Sequence, residues 1–106
     1  MPRPPQDVRK AAAEGLRRRR ERAKVTQRPG GTAVGVARAR DLVNGRNIPL
    51  ATIKRMRSFF ARHDTDEERE ARRRDKDSPA NIAHLLWGGT PGRRWADRVL
   101  REAGLI

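Results

Sequence analysis

Apolar positions along the chain recur at helical spacing, most clearly between residues 50 and 63. Ile53, Met56, Phe59 and Phe60 fall at i, i+3, i+6 and i+7, so they share one side of a helix. The other side carries lysine and arginine residues. The pattern therefore predicts an amphipathic helix with one side in a core and a basic side in solvent.

A second helix is predicted over residues 33–44, directly before it. The Thr32 hydroxyl can accept an amide hydrogen of the first turn, and Gly45 can end the helix in a left-handed conformation. Pro49 fits the first turn of the next helix, where its missing N–H costs nothing. Two helices joined by a short turn, the second one basic, resemble the outline of a helix-turn-helix.

Two more helices are predicted near the C-terminus. Ser78-Pro79 has the form of a helix start and Gly88-Gly89 of a stop, and the last helix is expected over residues 92–103. All four aromatic residues follow residue 58, so we expect a core built mainly from the C-terminal half. The four aromatic side chains would carry much of this core: Phe59, Phe60, Trp87 and Trp95.

The N-terminal third of the chain has a weaker apolar pattern than the rest. A helix is predicted over residues 6–24, but its apolar positions (Val8, Ala12, Leu16 and Ala23) form only a thin stripe. We therefore expect residues 1–29 to be a basic arm or helix outside a compact helical domain of residues 30–106. Within that domain, residues 64–77 are almost entirely charged and should form a short exposed helix or a flexible connector. The expected fold class is all-α, with four or five short helices.

Net charge is the strongest indication of a partner. The chain of 106 residues has 26 basic and 13 acidic side chains, a net charge of +13, and most of the excess lies in the first 63 residues. Such a charge favours a polyanion, and nucleic acid is the simplest one because phosphate contacts release counterions. The chain has no cysteine, no apolar run long enough to span a membrane and no apolar region of a signal peptide. We expect no membrane association.

The residues expected to contact nucleic acid fall in three groups. The arginine run of the N-terminal helix would lie along a phosphate backbone, and the helix over residues 50–63 would dock on DNA, which is favoured over RNA. Arg93 and Arg94 rank second. The full set is Arg17, Arg18, Arg19, Arg20, Arg38, Arg40, Lys54, Arg55, Arg57, Arg62, Arg93 and Arg94.

The other possible functional sites each have a simpler structural explanation. Trp87 and Trp95 could stack on bases, but their aliphatic neighbours favour core packing. The glycines at 88, 89 and 92 resemble an anion-binding helix start, yet also suit a capped turn. His63 and His84 lack metal-ligand spacing, and there is no Walker motif. We expect no metal, no cofactor and no enzymatic activity.

Three strings resemble a small helical module of tailed bacteriophages, found alone or adjoining head-maturation (prohead) proteases. They are residues 30–42 (GGTAVGVARARDL), residues 52–63 (TIKRMRSFFARH), and residues 86–89 (LWGG) with residues 92–96 (GRRWA). The sequence departs from that module at Pro49, where a Ser-like cap is expected, and in the charged stretch 64–77. The resemblance implies a phage context and a location in the host cytoplasm or the virion.

Two functions follow as hypotheses. The first is a phage-encoded DNA-binding protein that acts by phosphate neutralisation and helix docking. The alternative is a structural or assembly component of the phage head, which would bind capsid or portal proteins or packaged DNA. The sequence leaves the oligomeric state open.

Overall fold

The structure is a computed structural model that describes residues 2–106, and this part of the chain is helical. The prediction of an all-α fold is confirmed. Five helices lie within residues 30–106, as expected, and a sixth precedes them. They are α1 (Gln6–Ala23), α2 (Ala33–Val43), α3 (Leu50–His63), α4 (Asp66–Arg74), α5 (Pro79–Leu86) and α6 (Gly89–Glu102).

Most helix boundaries lie where the capping residues predicted them. The Thr32 hydroxyl accepts a hydrogen bond from the Gly35 amide at 3.1 Å, and Ser78 caps α5 in the same way. Pro49 precedes α3 instead of lying in its first turn. α6 begins three residues earlier than expected, because Gly88 turns the chain at a φ of 103° and lets the helix start at once.

α1 is part of the core, so the prediction of a basic arm outside the domain is wrong. Val8 and Ala12 are fully buried, and α1 packs against α2, α5 and α6. The thin stripe was misleading because its side chains are small. Small residues allow a neighbouring helix to approach closely, and close packing compensates for the small apolar area of each side chain.

Gly15 is the point of closest approach between α1 and α5. A Cβ atom built on Gly15 would lie 2.8 Å from the backbone nitrogen of Leu86 and 3.0 Å from the carbonyl carbon of Leu85. Real Cβ atoms do not approach backbone atoms so closely. Glycine at this position therefore lowers the intrinsic stability of α1, but it lets the end of α5 lie directly on the helix.

The segment before α1 is also fixed. The Ile48 amide donates a hydrogen bond to the carbonyl of Pro2 at 2.8 Å, and Arg3 donates to the Asn47 side chain at 3.3 Å. Ile48 itself is almost fully buried. The start of the described chain is thus attached to the turn between α2 and α3.

The core draws on both ends of the chain, which corrects the expectation of a C-terminal core. Trp87 and Trp95 are buried, as predicted, but α1 and α2 contribute fully buried side chains as well. The buried apolar residues are Val8, Ala12, Ala39, Leu42, Ile48, Ile53, Met56, Phe59, Phe60, Ile82, Leu86, Trp87, Trp95, Ala96 and Leu100.

α2 and α3 do not form the packed pair of a helix-turn-helix. α2 packs on α1 and α5, whereas α3 packs on α6. α3 and α6 run antiparallel, since Asp64 at the end of α3 pairs with Arg93 near the start of α6. Trp87 connects α2 with α3. Its ring stacks on Phe59 of α3, with ring centres 4.8 Å apart, and its indole Nε1 lies close to Gly35 of α2.

α4 is the short exposed helix that the charged stretch allowed, and it buries no side chain. It is held by a cluster of ion pairs around Asp64, at the end of α3. Asp64 accepts hydrogen bonds from Arg72 at 3.0 Å and from Arg93 at 2.8 Å, which ties α4 to α6. These bonds lower the pKa of Asp64. Desolvation alone would raise it, but the Arg72 hydrogen bond and the charges of Arg69, Arg93 and Arg72 outweigh that effect.

Gly15→Ala should destabilise the protein, although alanine is the better helix former. The added methyl group would press on the backbone of Leu86, and overpacking of this kind costs about 1–3 kcal/mol. Urea denaturation measures the change in the free energy of unfolding. The control is Ala13→Gly at an exposed position of α1, which should cost only the propensity difference of about 1 kcal/mol. A stabilised Gly15→Ala variant would contradict the close α1–α5 contact.

Candidate nucleic-acid interface

The exposed side of α3 carries three cations that no acidic residue neutralises. Lys54, Arg55 and Arg62 are all exposed, and within residues 2–106 none of them forms an ion pair. Their positions place them on one side of the helix, opposite the buried Ile53, Met56 and Phe60. We call these three cations the α3 basic face.

Small side chains lie between the cations of the α3 basic face. Ala51 and Ser58 are exposed and occupy the middle of this side of the helix. A helix surface with short side chains at its centre and long cations around them can approach a polyanion closely while the cations reach outward. The predicted contacts Lys54, Arg55 and Arg62 therefore lie together.

Arg57 is turned away from this group. Its guanidinium points towards α6, where it pairs with Asp97 at 3.4 Å. The pairing follows from the antiparallel contact of α3 with α6. Arg57 thus lies at the edge of the α3 basic face and is partly neutralised.

The arginine run of α1 does not form a free arm. Arg17 pairs with Glu14, and Arg18 forms ion pairs with Glu14 and, at 2.7 Å, with Asp77. Arg19 donates to the carbonyl of Gly30 at 3.0 Å. Of the run, Arg20 alone is exposed and makes no hydrogen bond or ion pair within residues 2–106.

Asp77 is the residue that sequence reasoning missed in this region. Besides the Arg18 ion pair, its backbone carbonyl accepts a hydrogen bond from Arg22 at 2.9 Å. These contacts join the C-terminal half of α1 to the segment before α5. No sequence signal predicted them, because the partners are more than 50 residues apart.

The two predicted contacts on α2 differ: Arg38 is held inside the fold, whereas Arg40 is exposed. Arg38 is mostly buried, donates to Asp41 at 3.0 Å and lies with its guanidinium carbon 5.8 Å from the centre of the Trp87 ring. Such an arrangement is a cation–π contact inside the fold. Arg40 is exposed and has no ion-pair partner within residues 2–106. Of these two residues, Arg40 is the one that is free to contact a ligand.

Arg93 and Arg94 also divide into one structural and one free residue. Arg93 pairs with Asp64, whereas Arg94 is exposed. The glycines before them serve packing. Gly88, Gly89 and Gly92 are buried, and the Gly92 amide donates to the Gly88 carbonyl at 2.9 Å. This arrangement agrees with an inter-helix turn, but α6 has no side-chain cap, because Thr90 lies inside the helix.

The aromatic residues belong to the core and not to an exposed stacking platform. Phe59 and Trp87 lie nearly parallel, with ring centres 4.8 Å apart, and each is only 8% exposed. His63 extends the stack at 4.7 Å from Phe59. The core alternative for both tryptophans is confirmed.

Neither histidine belongs to a metal site within residues 2–106. His63 lies on the surface beside Glu68, at 3.3 Å. His84 is largely enclosed, contacts the edge of Phe60 and has Thr90 Oγ1 3.4 Å from its Nε2. Burial lowers the pKa of His84 to about 4, and the charges of Arg72 and Arg93 act in the same direction against the opposing effect of Asp64.

Comparison with known proteins gives no further guide to this arrangement. No family model, no curated protein and no solved structure matches the chain. None of the helices in the described part of the chain combines the length and hydropathy needed to cross a bilayer.

The buried His84 predicts a stability that falls on mild acidification. In the unfolded chain His84 takes up a proton near pH 6.5, but in the folded protein only near pH 4. The unfolded state therefore binds more protons between these values, and the free energy of unfolding should fall by roughly 3 kcal/mol across this window. Glu14 and Asp64, whose pKa values are lowered by neighbouring arginines, add to this loss only towards the acid end of the window, below about pH 5.

Urea denaturation at pH 7 and pH 4.5 measures this difference. His84→Gln should remove most of the pH dependence, whereas His63→Gln, which changes an exposed histidine, should retain it. Equal pH dependence in the wild type and in His84→Gln would show that His84 is not the responsible group.

Proposed function

We propose that the protein is a non-enzymatic DNA-binding protein that docks the α3 basic face on the phosphate backbone. The observation that carries the proposal is the group of three exposed cations without acidic partners around small residues. Five of the nine other arginines in the predicted contact set already pair with acidic side chains of the fold. Arg20, Arg40 and Arg94, which are unpaired within residues 2–106, lie on three different helices. Uncompensated charge on a helix is the feature that phosphate contacts require.

Duplex DNA is the favoured form of nucleic acid. The major groove of B-DNA admits a helix, whereas the major groove of an RNA duplex is too narrow for side chains to read. The rings of Phe59 and Trp87 are covered, so the structure offers little exposed aromatic surface for unpaired bases. The resemblance to a module of tailed-phage proteins supports a phage context for this function.

The role of α1 differs from that of a flexible arm. Its buried stripe holds it in the domain, so its arginines would act by raising the local potential and by contacts from Arg20. Deletion of residues 1–28 would remove Val8 and Ala12 from the core. Point substitutions therefore test the proposal better than truncation.

Removing the α3 basic face should weaken DNA binding strongly. The variant is Lys54→Gln, Arg55→Gln and Arg62→Gln together, measured by fluorescence anisotropy on mixed-sequence duplex DNA across a salt series. Loss of three phosphate contacts should reduce affinity about 30- to 100-fold at moderate salt and lower the salt slope by about 2–3.

The matched control removes the same charge from α4 and the residues after it, as Arg73→Gln, Arg74→Gln and Lys76→Gln. These exposed cations lie beside acidic residues, and Arg73 and Arg74 both pair with Glu70. The control should change affinity by less than about threefold. Equal losses in the two variants would mean that only net charge matters. That result would favour the head-assembly alternative, in which the protein binds capsid or portal proteins or packaged DNA.

A further inference from the structure

A groove lies beside the α3 basic face, between the start of α2 and the C-terminal half of α3. Its volume is about 420 Å³, which is within the range of about 300–1,000 Å³ that is typical of ligand-binding clefts. Trp87 lines it from the turn between α5 and α6. The lining residues are Thr32, Val34, Arg55, Ser58, Phe59, Arg62, His63 and Trp87.

The apolar part of the groove is mainly aliphatic. Val34 is 56% exposed, so more than half of its side chain is open to a ligand. Phe59 and Trp87 stack on each other and leave little of their rings open. The groove thus offers a valine side chain and small parts of two rings, which suit an aliphatic anchor better than a flat nucleobase.

The charge around the groove has one sign. Arg55 and Arg62 line it and have no ion-pair partner within residues 2–106, and no lining residue is acidic. The start of α2 adds to this charge, because the first amides of a helix carry partial positive charge. A ligand with an apolar centre and negative flanks would complement the groove.

We propose that this groove binds an acidic segment of a partner protein through one apolar anchor side chain. The anchor would pack on Val34, and acidic residues on either side of it would pair with Arg55 and Arg62. The site does not depend on the proposed DNA function, but it shares these two arginines with the α3 basic face. Peptide and DNA would then compete for them.

The test uses short labelled peptides with acidic residues on both sides of a central apolar residue. The central residue is leucine, valine, methionine or phenylalanine, and the reference peptide has serine there. Every peptide has the same charge, so the excess affinity of an apolar peptide over the serine peptide isolates the anchor. We expect the best apolar peptide to bind about five- to tenfold more tightly than the serine peptide.

Val34→Ser should abolish this excess affinity, and Val25→Ser should retain it. Val25 is the matched control because it is 85% exposed and does not line the groove. Both changes are at exposed positions, and thermal melting checks that both variants fold. If no apolar peptide exceeds the serine peptide, or if Val34→Ser leaves the excess unchanged, the proposal is wrong.

The contribution of charge has its own pair of variants. The double variant Arg55→Gln, Arg62→Gln should weaken binding of all the peptides at least about tenfold. The control double variant Arg98→Gln, Arg101→Gln, on the exposed side of α6, should have little effect.

Single-stranded oligothymidine is the last probe. If its binding, and not that of the peptides, depends on Val34, the groove takes a nucleobase and the peptide proposal is overturned. None of these outcomes depends on duplex DNA binding.

Discussion

The close contact of α1 with the end of α5 is the constraint on which the rest of the fold depends. Gly15 allows the backbone of Leu86 to lie on α1, and Val8 lies against Gly88 in the turn that follows. This contact places Trp87 between α2 and α3. A domain of this size buries a modest share of its surface, so a helix that brings together α2, α5 and α6 contributes much of the stability.

The position of α1 also decides which charges remain available. Once α1 lies in the domain, Arg18 meets Asp77 and Arg19 meets the carbonyl of Gly30. The charged stretch after α3 acts in the same way, because Asp64 forms ion pairs with Arg72 and Arg93. The acidic residues therefore do more than lower the net charge. They neutralise particular arginines and leave the α3 basic face as a coherent group of free cations.

Two of the three free cations, Arg55 and Arg62, serve both proposals. Both face solvent and line a groove in which Val34 is the exposed apolar side chain. The α3 basic face alone suits a phosphate backbone. With the groove, it suits an acidic segment that has an apolar anchor. A protein partner that occupies the groove would cover part of the surface proposed for DNA.

The sequence by itself determined the helices, because capping residues and 3.6-residue periodicity are local properties. Thr32, Ser78 and the apolar side of α3 were predicted on this basis, as was the burial of Trp87. Only the tertiary structure decided the place of α1, since a stripe of small side chains does not reveal how closely a neighbour will approach. It also decided which arginines are free. Ion pairs such as Arg18 with Asp77 join residues far apart in the chain, and no local pattern encodes such contacts.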